Sequence, residues 1–94
     1  MYIRIVRGQP RPGQADEAAR RWKEHLAPQL RSIPGFRAAY FIGDREANKV
    51  GGVSIWDDNP GEAVDQAMRE FRQRLQDITV GPPTIEDYEV LTEA

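Results

Sequence analysis

Apolar residues along this chain are spaced by two, then by three and four, then by two twice over, then by three and four, then by two again. The order of those switches limits the fold more than any single motif. Met1–Arg7 (MYIRIVR) alternates, with Tyr2, Arg4 and Val6 on one side and Ile3 and Ile5 on the other. That β-branched, period-two pattern predicts a strand. From Gln14 to Ser32 the stripe Ala15, Ala18, Ala19, Trp22, Leu26, Leu30 and Ile33 predicts one helix. Asp16 and Glu17 complement its N-terminal end and Arg31 its C-terminal end. Pro28 predicts a kink or a tightened last turn, because it lacks an N–H and crowds the carbonyl of Glu24. Pro34-Gly35 stops the helix.

Phe36–Ile42 and Lys49–Trp56 read as two strands, and the turn-like Gly43–Asn48 between them predicts a hairpin. Gly51-Gly52 weakens the second of these strands and implies a bulge or the close approach of something large. A second helix is expected to start with Asn59 as N-cap, Pro60 as first helical residue and Glu62 as capping-box partner, and to run to about Asp77. Val64, Met68, Phe71, Leu75 and Ile78 form its buried stripe. Gly81-Pro82-Pro83 then turns the chain into a last strand, Thr84–Leu91. The sum is β-α-β-β-α-β in one domain, residues 1–94. This is the α+β, ferredoxin-like pattern, a four-stranded antiparallel sheet with both helices on one face.

That arrangement leaves the other sheet face bare. Phe36, Ala38, Tyr40 and Ile42 alternate with Arg37, Ala39 and Phe41, and Val53 and Ile55 with Val50, Ser54 and Trp56, so both faces carry apolar side chains. The expectation is a homodimer joined through the bare face. Base stacking by RNA is the other use of such a face. It is disfavoured because the third strand has no aromatic before Trp56 and the net charge is −2.

Composition removes whole classes of chemistry. There is no cysteine and one histidine, His25, which excludes disulfides, thiolate catalysis, cysteine-ligated zinc and histidine-rich metal sites. Asp57-Asp58 has no further ligand at metal spacing and reads as a complement to the helix dipole, so no metal is expected. No run is apolar enough for a membrane span, and Met1–Gly8 is too short and charged for a signal peptide. A cytoplasmic protein is expected. Arg69, Arg72 and Arg74 read as a solvated helix face. The chemistry left is His25 as a base or donor, and Trp22, Tyr40, Trp56 and Tyr88 as walls for an aromatic ligand. Arg4 joins them if it points inward, where it would meet an acidic ligand; pointing outward, it is an edge or interface cation.

Pro34-Gly35-Phe36 closing the first helix, Trp56 closing the third strand before a short acidic loop and a helix, and the closing Gly81-Pro82-Pro83 with Tyr88-Glu89-Val90 resemble the antibiotic biosynthesis monooxygenase family. The resemblance covers nearly the whole chain. It implies a dimeric α+β barrel with an apolar pocket between sheet and helices, and oxidation of aromatic or quinol-type small molecules without metal or organic cofactor. Heme-cleaving members carry a histidine on the second helix and an asparagine on the first strand. Ala63–Ile78 has no histidine and Met1–Arg7 no asparagine, so heme cleavage is disfavoured. Two other functions stay open: a non-catalytic ligand-binding or dimerisation module, and a proton-transfer enzyme of the lactone isomerase kind.

Overall fold

β1 (Tyr2–Pro10) lies inside a four-stranded sheet, between β3 (Lys49–Trp56) and β4 (Thr79–Glu89), while β2 (Phe36–Asp44) forms the far edge. The order is β2-β3-β1-β4 and every pairing is antiparallel. The structure is a computed structural model that describes residues 1–94. Between β1 and β2 run α1 (Ala15–Arg21), a π-helical turn (Trp22–Leu26) and α2 (Ala27–Ser32); α3 (Glu62–Arg74) joins β3 to β4. This is the expected ferredoxin-like topology. No helix is long and apolar enough to cross a membrane.

The first helical segment neither kinks nor tightens at Pro28; it widens. The Ala27 N–H donates to the Trp22 carbonyl five residues back, and α2 restarts with Pro28 in its first turn. A π turn takes up the proline's missing donor and its crowding of Glu24 by adding a residue to the loop of backbone. Leu26 and Leu30 still reach the core with Trp56, Val64, Ala67 and Phe71. Trp56 meets Phe36 edge-on at 5.5 Å between ring centres.

Three other expectations are corrected. α3 begins at Glu62, not Pro60, with Gly61 in the N-cap position and no side-chain cap, so the expected capping box between Asn59 and Glu62 does not form. The helix ends at Arg74 rather than Asp77, and a turn carries Ile78 into the core. β4 starts at Thr79, five residues before Thr84, and stops at Glu89. Gly81-Pro82-Pro83 lies inside it as an irregularity, between Val80 paired with Gln9 and Thr84 paired with Arg7. Two residues without N–H are tolerated there because β4 is an edge strand.

Facing is set by register. On β1, Tyr2, Arg4 and Val6 face the helices. On β2 a shift between Phe36 and Ala38 makes Arg37 the extra residue. Phe36 therefore joins Ala39 and Phe41 on the helix side instead of sharing a face with Tyr40 and Ile42, as simple alternation had it. The opposite face keeps Ile3, Ile5, Val53 and Ile55, with Tyr40, Ile42 and Tyr88 half exposed or more.

Candidate functional site

Between the sheet and the helices lies a cavity of about 430 Å³, within the usual range for small-molecule sites. It follows β1 from Arg4 to Gln9, and α3 with the turn after it from Asp65 to Gln76. Its apolar walls are Trp22 and Leu26 from the π turn, Phe41 from β2, Met68 and Phe71 from α3, and Leu75 at the C-cap of α3. All but Phe41 come from the two helix stripes that the sequence places on a buried face. Trp22 and Leu26, the first and last residues of the π turn, both face the cavity. Trp22 stacks obliquely on Phe41, 5.8 Å between ring centres.

The floor is opened by Gly51-Gly52. A Cβ on Gly52 would stand 3.4 Å from Trp22 Nε1, so the indole lies directly over this glycine. A Cβ on Gly51 would fall 2.6 Å from the Val6 carbonyl oxygen of the neighbouring strand. The pairing of β1 and β3 continues through both glycines without a break. The close approach expected there is thus a side chain above one glycine and backbone beside the other, with no bulge.

Arg4 points inward and is 5% exposed, so the outward reading is overturned. Its Nε and Nη2 donate to the two carboxylate oxygens of Asp87 on β4, at 2.7 and 3.0 Å, and its Nη1 donates to Asp65 Oδ1 on α3 at 2.6 Å. The Asp87 hydrogen bonds are the main reason that the Arg4 pKa is raised still further, burial acting against them. The guanidinium stays charged wherever the fold exists. Arg4 and Asp65 both line the cavity, and Arg69 and Arg72 line it farther along α3 rather than forming a purely solvated face.

Of the residues expected to form a site, the structure brings Trp22 and Arg4 to this cavity and leaves the others elsewhere. The His25 side chain is 38% exposed on the outer side of the π turn, with Nε2 4.0 Å from Glu24, and does not line the cavity. Trp56 is fully buried in the core. Tyr40 and Tyr88 lie on the bare face, where the Tyr88 hydroxyl donates to Glu86 at 2.5 Å and its pKa is raised by that bond. Sequence reasoning missed Asp65 and Phe41. A carboxylate three residues before Met68 on the helix stripe was the available signal for Asp65; Phe41 was hidden by the Arg37 bulge.

Residues 1–74 match the family model for antibiotic biosynthesis monooxygenase. No curated protein matches the chain in sequence. Among solved structures, a monooxygenase of Streptomyces coelicolor in complex with the ligand nanaomycin D aligns with a TM-score of 0.80 at 16% identity, over 99% of this chain and 89% of that one. A protein of unknown function from Nitrosomonas europaea aligns at 0.77 and 21% identity, over 99% and 91%. SnoaB, a cofactor-independent oxygenase from Streptomyces nogalater, aligns at 0.69 and 14%, over 98% and 95%. At these identities the likeness to the solved structures concerns the fold.

Proposed function

The chain belongs to the antibiotic biosynthesis monooxygenase family, and from that premise we propose that it oxidises an aromatic, quinol-type small molecule with dioxygen inside the cavity between sheet and helices, without metal or organic cofactor. The single observation that carries this reading is the cavity itself: about 430 Å³, walled by Trp22, Phe41 and Phe71, large enough for a flat molecule of two or three fused rings. In such chemistry the electrons come from the substrate's own anion. The protein then has to hold the ring system away from water and place donors where negative charge develops. The Trp22 indole N–H enters no hydrogen bond within the chain and sits at the cavity wall, which suits it to that second task.

The test is oxygen uptake with simple hydroquinones, compared between the wild-type protein and Trp22→Ala. Turnover that falls at least tenfold in the variant supports the reading. Equal rates, or none above the rate in buffer, remove it.

The same proposal includes a homodimer joined through the bare sheet face, and a cytoplasmic location. Support for the dimer is the patch made by Ile3, Ile5, Val53 and Ile55 with Tyr40 (59% exposed) and Ile42 (50% exposed) at its β2 side. A contiguous apolar surface of that kind is unusual on a monomer.

A further inference from the structure

We infer that Asp65 is the hydrogen-bond acceptor that orients the ligand in the cavity, selecting an aromatic molecule that presents a hydroxyl hydrogen at the Arg4 end. This inference rests on the cavity reading above and narrows the class of ligand. Asp65 sits in the first turn of α3 and lines the cavity with its carboxylate about half shielded from water. Oδ1 takes the hydrogen bond from Arg4 Nη1 at 2.6 Å, while Oδ2 accepts none within the chain. A ligand hydroxyl withdrawn from water must find an acceptor or lose a hydrogen bond's worth of affinity. The cavity neighbours of Asp65 at this end, Val6, Met68 and Ile85, carry no oxygen in their side chains.

What distinguishes Asp65 from an ordinary surface carboxylate is how it is held. Arg4 is buried and forked onto Asp87 through two parallel hydrogen bonds, which fix the plane of the guanidinium. Nη1 of that fixed group then clamps Asp65 Oδ1, so the free oxygen has a defined direction. Arg4 and Asp87 are positioning residues in this arrangement. Arg4 is already matched by two carboxylates, so it offers no unpaired cation to an acidic ligand. The free Oδ2 of Asp65 favours a ligand that brings a hydrogen-bond donor to this end.

The test is calorimetric titration with 1-naphthol and with 1-methoxynaphthalene, which differ in the hydroxyl hydrogen. The ether is the more apolar of the two, so without the acceptor it binds at least as well. Wild type is expected to prefer the naphthol by on the order of tenfold, the value of one hydrogen bond to a charged group. In Asp65→Asn the amide oxygen remains with Arg4 and turns an NH₂ toward the ligand, a donor that either compound's oxygen can accept, so the preference falls to within about twofold while ether binding is not weakened. Asp65→Glu, which keeps a carboxylate, restores part of the preference. If Asp65 only supports the fold, Asp65→Asn weakens both compounds alike, which overturns the inference. Equal affinity of wild type for the two compounds also overturns it, and needs no variant to fold. Failure of wild type to bind either compound removes the cavity reading and the inference together.

Discussion

The indole nitrogen of Trp22 stands 3.4 Å from the point where a Cβ on Gly52 would sit, whereas the same atom on Gly51 would lie 2.6 Å from the Val6 carbonyl oxygen. Two adjacent glycines in one strand thus serve different ends. Gly52→Ala adds a methyl at ordinary contact distance beneath the indole, and its stability should stay within about 0.5 kcal/mol of wild type. The methyl enters the floor of the cavity, so binding of a flat aromatic should weaken. Gly51→Ala forces β1 and β3 apart and should cost about 1–3 kcal/mol. Urea melts of both variants, with naphthol titrations of Gly52→Ala, check this. A Gly51→Ala protein as stable as wild type would contradict the close approach of the strands.

Arg4 is buried between carboxylates that remain partly in water. Arg4→Met removes the cation and leaves Asp65 and Asp87 facing each other. The expected loss is about 2–3 kcal/mol, below the full penalty of a sealed ion pair because both acids keep access to solvent. Arg4→Lys keeps the charge and loses the fork, so it should recover only part of the stability. Thermal unfolding measured on both variants separates charge from geometry.

His25 is directed away from the cavity, so His25→Ala should leave oxygen uptake with hydroquinones within about twofold of wild type, a change too small for the loss of a general base. A drop of a hundredfold would restore His25 as a participant and would require the π turn to rearrange when ligand binds.

Arg21 ties the first helical segment to the end of α3: it donates to Asp77 Oδ1 at 2.7 Å and to the Arg74 carbonyl at 2.8 Å. Its hydrogen bond to Asp77 is the main cause holding that carboxyl's pKa below its ordinary value, as Arg20 does for Glu17 and Arg45 for Asp16. A depressed pKa in the folded state means that the contribution is present above the unfolded value, near pH 4, and disappears as pH falls through the folded one. The stability gap between wild type and Asp77→Asn should therefore be open at pH 7 and close below about pH 4. Urea midpoints taken from pH 7 to the acid limit read it directly, and a gap constant with pH would refute the linkage.

The bare face gives the last prediction. Light scattering should find wild type at twice 10.7 kDa, and Tyr40→Lys combined with Ile42→Lys should shift it to a single chain that remains folded. Both side chains are already half in water in the isolated protomer, so the charges cost the monomer little. A wild-type protein that scatters as one chain would end the dimer proposal.

The sequence by itself determined the element order, and with it the sheet topology, because a switch between the two periods is a local property of where apolar side chains fall. It also determined which helix stripes would be buried, and that Gly51-Gly52 marks a close approach. Tertiary structure decided the rest, wherever one residue more or less changes a face. The Arg37 bulge brought Phe36 to the same side as Ala39 and Phe41, and the helical segment that contains the π turn holds Trp22 over Gly52 and His25 outside the cavity. The Pro82-Pro83 segment became part of β4 because an edge strand does not need those N–H groups. Above all, Arg4, Asp65 and Asp87 lie more than sixty and eighty positions apart in sequence, 61 and 83 by residue number. Local pattern carries no information about pairing across such separations. Only the packing of α3 over β1, with β4 alongside, makes one buried cation and two carboxylates into the polar end of a cavity.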